Sequence, residues 1–422
     1  MGSGAVRRIA SNVGLVLGSL VAALLATELL LRAWGFSAVG FMQPDRLLGW
    51  ARIPGEEGWY TVEGRAYLRI NAGGWRGPAR SLEKPAGVTR IVVLGDSYTE
   101  GAQVAEDATF PSLLEHDLNR SLPGRYEVLN FGVAGFGTGQ ELLVLEHYAL
   151  RYAPDAVVLA FTTGNDVWDN SPTLRRSSDS PYFRLDGDAL VLDTSFLTSP
   201  RYLAQWSWRA RTLRVLAEHC RIAQLARRAR QGAQAARILA WRERRLIPSG
   251  ASPRDPRLAV YRDPPPDSAW AHAWSVTERL VARIDSECRS RHIPFYLVTL
   301  SNPEQVTPDS QARRAFAAAL GARDLFAPER RLERVASREG FDMLALAPLL
   351  SADAISRHEY YHGFGKFEGA GHWNERGHGM AAALLNPWLA ARLPRPCLHT
   401  SGTSGVVGCV AGHPPTGPPP WE

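Results

Sequence analysis

The chain has 422 residues, of which 45% are hydrophobic, and a formal net charge of +6. This length allows one large domain with additions or two domains, and the apolar share is ordinary for a folded protein. Most of the positive charge is arginine, and much of its excess lies in residues 201–245. No recognition module accompanies this charge, so nucleic acid is not an expected partner. The four cysteines show neither metal-ligand spacing nor a CxxC pair, so we expect no metal site and no disulfide framework.

The N-terminus has the pattern of a membrane anchor. Arg7 and Arg8 precede 23 mostly apolar residues, 9–31, and Arg32 follows them. A helix of that length spans roughly 34 Å, enough for a bilayer core. No small-residue cleavage pattern follows Leu31, which favours an uncleaved signal anchor over a cleaved signal peptide. We therefore predict a single-pass anchor at 1–33 in the cytoplasmic membrane of a bacterium, with the remaining chain periplasmic or extracytoplasmic.

The next residues divide into a small extension and a larger α/β domain. Residues 34–89 are rich in Gly, Pro, Trp and Arg and carry short alternating stretches, which predicts a small β-rich extension. From residue 90 the pattern alternates between strands and helices, which predicts a parallel sheet flanked by helices. The predicted elements here are strands at 90–94, 127–130 and 156–161 and helices near 108–120 and 138–151.

The alternation stops at about 167 and returns after about 265, which indicates a largely helical insertion in a domain spanning 90–393. The insertion begins with a predicted hairpin at 183–192. Its helical stretch at 201–245 is amphipathic, so it lies either on an anionic membrane surface or over the domain; we expect the second, the commoner arrangement. The tail 394–422 lacks periodicity and is predicted to be disordered. Beyond the insertion we predict helices at 268–291, 327–339 and about 374–391, and strands at 294–300 and 341–344.

Chemistry-bearing residues follow several predicted strands. Ser97 comes directly after the first strand of the domain, and a serine at the carboxyl edge of a sheet suits a nucleophile as well as a simple cap. Gly135 follows the second strand and Asn165 the third, where each can offer an N–H to an oxyanion. His372 precedes the last helix and can reach the same edge as a general base. Gln140 stands where a dinucleotide fingerprint needs glycine, and no P-loop lysine follows, so no cofactor is expected.

These four blocks, in this order, resemble the SGNH hydrolases, also called the GDSL esterase/lipase family, and more narrowly its membrane-anchored bacterial branch. The resemblance implies a flavodoxin-like α/β/α sandwich and acyl transfer on an ester. It also implies that Ser97 is the nucleophile and His372 the base. The N–H groups of Ser97 and Gly135 and the side chain of Asn165 would then form the oxyanion hole.

The acid that should orient His372 departs from the family pattern. Members usually carry Asp two or three residues before the histidine, but Gly369 and Ala370 stand there. Glu368 is the nearest upstream carboxylate. Three explanations remain open: Glu368 substitutes, a backbone carbonyl orients the ring in a dyad, or the site is weakened.

The sequence supports three functional hypotheses. The first is an extracytoplasmic serine esterase or O-acyltransferase that acts on acetyl or similar esters of cell-envelope glycans. The second is a lipase-like or thioesterase activity on longer acyl chains. The third is a non-catalytic glycan-binding protein with a vestigial site, favoured by the missing aspartate. The expected partners are thus an acylated polysaccharide or lipid and, through the N-terminal helix, a membrane.

Overall fold

The structure, a computed structural model, describes residues 3–36, 40–230 and 255–393. The predicted disordered tail and the last part of the predicted helical stretch, from residue 231, lie outside these residues. The chain begins with a helix at Ser3–Ala33. Its segment Arg7–Ala33 has a mean hydropathy of 2.2 and none of its most apolar window is buried, so it is long and apolar enough to cross a membrane.

Two antiparallel hairpins precede the main sheet. Strand β1 pairs with β2, and β3 pairs with β4. The turn between β3 and β4 packs against the loop that follows residue 101, since a Cβ added at Gly64 would lie 2.3 Å from the Gln103 carbonyl oxygen. The extension therefore touches the main domain close to the carboxyl end of its first strand. The strands are β1 (Met42–Asp45), β2 (Gly49–Arg52), β3 (Glu57–Tyr60) and β4 (Ala66–Arg69).

The main sheet has five parallel strands in the order β11-β10-β7-β5-β6. This is the flavodoxin-like order, and it confirms the predicted α/β/α architecture. The strand order reverses between β5 and β7, so the carboxyl ends of these two strands flank the crevice in which open α/β sheets bind ligands. The strands are β5 (Val88–Gly95), β6 (Arg125–Gly132), β7 (Ala156–Thr162), β10 (Phe295–Leu300) and β11 (Asp342–Ala345).

Helices cover both faces of this sheet. Alternate residues of each strand point to opposite faces, as Val92 and Val93 do, and two separate apolar clusters result. Strands buried on both faces must be apolar at every position, which is why the sequence shows them as continuous apolar runs. One face packs against Phe110–Ser121, Leu346–Arg357 and Glu375–Ala390; the other packs against Thr138–His147, Ser268–Arg289, Ser310–Leu320 and Ala327–Glu339.

The insertion contains the predicted hairpin, formed by β8 (Tyr182–Asp186) and β9 (Ala189–Asp193). Helices follow at Pro200–Gln205, at Trp208–His219 and over residues 221–230. The helix Trp208–His219 has no buried residue. The expectation that this stretch covers the domain is therefore wrong for that helix, because an amphipathic pattern does not say whether its apolar stripe meets protein or another apolar phase. Short helices also lie at Ser97–Glu100, Asp166–Asp169 and Pro172–Arg175.

Candidate active site

Ser97 lies where sequence analysis placed it, at the end of β5 and the start of the helix Ser97–Glu100. Asp96 caps that helix by accepting a hydrogen bond from the Tyr98 N–H at 2.9 Å. A Cβ at Gly95 would lie 2.1 Å from the Thr99 hydroxyl oxygen, so only glycine lets the chain turn this sharply after the strand. Ser97 is 9% exposed. The turn thus presents a nearly buried hydroxyl at the edge of the sheet.

His372 reaches Ser97 from the loop before the C-terminal helix. Its Nε2 lies 2.8 Å from Ser97 Oγ, and its Nδ1 lies 2.7 Å from Glu63 Oε2. A carboxylate accepts hydrogen bonds and does not donate them, so Nδ1 carries the proton. Nε2 is then the acceptor for the Ser97 hydroxyl. This is the arrangement of nucleophile, base and orienting acid that acyl transfer needs.

Glu63, the carboxylate that contacts the ring, stands in the turn between β3 and β4. Its second oxygen, Oε1, accepts the His372 backbone N–H at 2.7 Å, so the carboxylate holds both the ring and the backbone of that residue. The prediction for Glu368 is wrong. Glu368 is exposed, and the ring position it was expected to fill is taken by Glu63. No local spacing could have identified Glu63, because 309 positions separate it from His372 along the chain.

A second network fixes the loop that carries His372. The buried ring of His362 donates from Nδ1 to the Gly371 carbonyl at 2.8 Å, and Tyr98 donates its hydroxyl to the same oxygen at 3.1 Å. On its other side, His362 Nε2 accepts from the Ser301 hydroxyl at 3.1 Å. Burial lowers the pKa of His362 to about 3. The ring is therefore neutral near pH 7 and can donate at one nitrogen while it accepts at the other.

Gly371 is the point at which this loop meets Glu63. Its φ is +88°, and an added Cβ would lie 1.9 Å from Glu63 Oε1. We expect Gly371→Ala to push the carboxylate from the histidine and to lower kcat by about 10²-fold, the cost of a misplacement of ~1 Å.

The matched control for this prediction is Gly365→Ala in the same loop. Gly365 also has a positive φ, +57°, but an added Cβ there meets nothing within 4 Å. Both variants should lose about 1–3 kcal/mol of unfolding free energy from backbone strain. Only Gly371→Ala should lose activity. On the full chain in detergent, kcat measures the activity and Tm measures the stability of each variant. Equal activities in the two variants would contradict the account.

Asn165 and Asp96 lie together at the crevice between β5 and β7. Asn165 donates from Nδ2 to Asp96 Oδ2 at 2.8 Å, which fixes the plane of its amide. Asp96 also accepts from the Thr162 hydroxyl at 3.1 Å. Burial raises the pKa of Asp96, and the hydrogen bond from Asn165 is the largest effect that opposes the shift. An amide with one N–H used in this way retains a second N–H for an oxyanion.

Gly135 lies in the loop after β6, and hydrogen bonds join this loop to Gly95 and to the helix Ser97–Glu100. The Ala134 N–H donates to Glu100 Oε2 at 3.1 Å, and the Val133 N–H donates to the Gly95 carbonyl at 3.1 Å. Gly135 itself has φ +82°, a conformation that favours glycine. The structure therefore brings the loop of Gly135 to the same edge as Ser97.

The loop of Gly135 is held from outside by two side chains. Trp50 of β2 donates its indole N–H to the Ala134 carbonyl at 3.2 Å, and Arg175 donates to the Gly135 carbonyl at 3.1 Å. The Arg175 guanidinium also lies 5.2 Å from the centre of the Trp50 ring. With its carbonyls bound on that side, the loop has a fixed orientation.

His378, the second histidine near the C-terminal helix start, is a packing residue. Its ring stacks on Phe110 and its Nδ1 accepts the Phe110 N–H at 3.3 Å. Burial, more than the neighbouring positive charge of Arg76, lowers the pKa of His378 to about 3. The unfolded chain then binds a proton at this residue below about pH 6.5 while the folded chain does not, so stability is lost as the pH falls through that value.

We expect His378→Gln to remove this pH dependence, since the glutamine oxygen can still accept from Phe110. Between pH 7.5 and pH 5 the wild type should lose about 2 kcal/mol of unfolding free energy relative to the variant. Thermal unfolding of both proteins at the two pH values measures this difference. The same difference in Tm at both values would show that the folded protein does not keep this histidine neutral.

Within the described ranges, no group of three or more His, Cys, Asp or Glu side chains is arranged to hold a metal ion.

The family described as GDSL-like Lipase/Acylhydrolase matches residues 93–380. No match was found among the curated proteins. Solved structures are similar at low sequence identity. The acetyl xylan esterase AlAXEase is 14% identical with a TM-score of 0.34, over 71% of this chain and 98% of that chain. The lipase/acylhydrolase from Enterococcus faecalis is 13% identical with a TM-score of 0.34, over 73% and 98%.

A third similar structure is a catalytic mutant of Axe2, an acetylxylan esterase from Geobacillus stearothermophilus. It is 12% identical with a TM-score of 0.35, over 70% of this chain and 92% of that chain.

Proposed function

Because the chain belongs to the GDSL-like lipase/acylhydrolase family and is an SGNH-type serine hydrolase, we propose that Ser97, His372 and Glu63 form its catalytic triad. The observation that carries this proposal is the unbroken set of contacts from Ser97 Oγ through the imidazole to the Glu63 carboxylate, at 2.8 and 2.7 Å. The non-catalytic alternative rested on the missing aspartate before His372. A carboxylate supplied from the extension removes that argument.

In the first half of the reaction, Ser97 Oγ attacks the ester carbonyl while its proton passes to His372 Nε2. Glu63 stabilises the imidazolium that forms. The N–H groups of Ser97 and Gly135 and the free N–H of Asn165 bind the oxyanion of the tetrahedral intermediate, where each donor is typically worth ~2.7–4 kcal/mol. Collapse breaks the bond to the alcohol, which takes the proton from His372, and leaves the acyl group on Ser97.

In the second half, water or a sugar hydroxyl gives its proton to His372 and attacks the acyl-enzyme. Collapse breaks the acyl bond to Ser97 Oγ, which takes the proton back from His372. Water as the acceptor yields free acid and makes the protein an esterase, whereas a hydroxyl acceptor makes it an O-acyltransferase. Both outcomes use the same triad. Release of free acid in the absence of a glycan, and its replacement by acylated glycan when one is added, distinguishes the two.

We propose that the acyl group is acetyl or similarly short, and that the alcohol belongs to a cell-envelope glycan. The support for a short acyl group is the tight turn at Ser97 and the 9% exposure of this residue. The apolar N-terminal helix supports a location at the cytoplasmic membrane. Arg7 and Arg8 before it favour an extracytoplasmic catalytic domain.

A chain-length series tests the acyl preference. We expect the full chain in detergent to have its highest kcat/KM on an activated acetyl ester, with values falling as the acyl chain lengthens. Rates that rise towards octanoyl or longer esters would favour the lipase-like or thioesterase alternative.

A further inference from the structure

The helix Trp208–His219 presents an apolar surface that nothing in the described structure covers. Trp208 is 72% exposed and Leu213 66% exposed, and Val215 and Leu216 are exposed beside them. Large side chains of this kind on a helix with no buried residue indicate a surface that meets another apolar phase.

Three of the four exposed apolar residues form a stripe on one side of the helix, and Leu213 lies about 60° beyond it. At ~100° per residue, Trp208, Val215 and Leu216 fall within an arc of about 100°. Arg209 and Arg211 lie just outside the two edges of that arc. The Arg209 guanidinium also sits 5.6 Å from the centre of the Trp208 ring. An apolar stripe that contains a tryptophan and has arginines beside it is typical of a helix that lies in a membrane interface.

The end of this helix is attached to the end of the N-terminal apolar helix. Arg32 donates to the His219 carbonyl at 2.6 Å. Glu28, paired with Arg32 at 2.8 Å, accepts the backbone N–H groups of Arg221 and Ile222 at 3.0 Å each. These contacts place the C-terminal end of the helix Trp208–His219 next to the last turn of the apolar segment, where a spanning helix leaves the hydrocarbon.

The charge of this region identifies the lipid that would meet it. Residues 208–230 contain seven arginines and one acidic residue, Glu218. Such a segment next to a bilayer is attracted to anionic headgroups.

We propose that the helix Trp208–His219 lies in the interface of the membrane leaflet from which the anchor emerges, with its apolar stripe among the acyl chains and its arginines on anionic headgroups. This inference depends on insertion of the N-terminal helix in the membrane and not on the chemistry at Ser97, so its test uses no activity measurement. The helix Trp208–His219 would then attach the domain to the membrane at a second point, in addition to the N-terminal helix.

The test uses the full chain, one copy per nanodisc, in phosphatidylcholine–phosphatidylglycerol with and without brominated acyl chains. Bromine quenches only tryptophans that reach the lipid. We expect Trp208→Phe to remove part of the quenchable emission, as Trp34→Phe at the anchor should. The control Trp388→Phe, whose ring packs on Tyr296 of β10, should not.

The charge contribution is tested with the double variant Arg209→Gln and Arg211→Gln. It should reduce the quenching of Trp208 in discs that contain phosphatidylglycerol and leave the quenching of Trp34 unchanged. Loss of quenching in Trp34→Phe with none in Trp208→Phe would overturn the proposal and would point to a second copy or another protein on this face. No effect of either variant would mean that the anchor is not inserted, and the proposal would fail with it.

Discussion

Replacement of Ser97 by alanine is expected to lower kcat of the full chain on an activated acetyl ester by about 10⁶-fold, the loss seen when the serine of such a triad is removed. The variant keeps the oxyanion donors and the histidine but has no atom that can form the acyl-enzyme. Its Tm should change little, because the Ser97 hydroxyl contacts the imidazole of His372 and is not part of the apolar core.

A labelling experiment and a control variant test whether the loss of activity in Ser97→Ala is due to loss of the nucleophile. A fluorophosphonate probe should label the wild type and fail to label Ser97→Ala. The control Ser112→Ala alters a serine that bonds Glu106 away from His372, and it should react and label as the wild type does. Full activity or undiminished labelling in Ser97→Ala would contradict the assignment of the nucleophile.

Replacement of Glu63 by glutamine should lower kcat by about 10⁴-fold, the effect of removing the charge of a triad acid while its shape is kept. The glutamine oxygen can still accept the His372 N–H, so the loop should stay in place. Its amide, however, stabilises no imidazolium and can donate to Nδ1, which favours the wrong tautomer. KM should change much less than kcat, because both oxygens of the Glu63 carboxylate bind His372.

The matched control is Glu368→Gln, which changes the same chemical group on the loop of the histidine itself. Glu368 is exposed, so this variant should keep kcat close to that of the wild type. Similar losses in both variants, or a loss confined to Glu368→Gln, would contradict the assignment of Glu63 alone. Such a result would favour Glu368, the residue expected from the sequence, as an acid that orients His372. Full activity in both would favour the dyad oriented by a backbone carbonyl.

The sheet was predictable from the sequence because its strands are buried on both faces. The predicted strand at 90–94 is part of β5 (Val88–Gly95), and that at 156–161 is part of β7 (Ala156–Thr162). Once the strands are parallel, their carboxyl ends share one edge, and Ser97 and Asn165 come together as expected. The helices Ser310–Leu320 and Leu346–Arg357 were not predicted.

The acid was not predictable in the same way. Glu63 lies in a short hairpin turn, and its contact with His372 depends on how the extension docks on the domain rather than on any local periodicity. The docking itself uses buried charge: Arg52 of β2 pairs with Glu100 of the nucleophile helix. Arg76 donates to the Glu100 carbonyl at 2.7 Å. Side chains of the extension thus contact Glu100 of the helix Ser97–Glu100 and supply His372 with a carboxylate.

The surroundings of the helix Trp208–His219 were also not predictable from the sequence. Its amphipathic pattern was visible in the sequence, but the same pattern arises whether the apolar stripe packs on protein or on lipid. Only the structure shows that no residue of this helix is buried by the described part of the chain, and that the end of the helix contacts the end of the N-terminal apolar helix.

The central claim is that the Glu63 carboxylate holds the proton on His372 Nδ1, and proton NMR of the full chain with ¹⁵N-labelled histidine observes that proton directly. A strong hydrogen bond to a carboxylate shifts the resonance far downfield. The account predicts that this resonance is present in the wild type and in Glu368→Gln and is lost or moved upfield in Glu63→Gln. Its persistence in Glu63→Gln, or its loss in Glu368→Gln, would contradict the account.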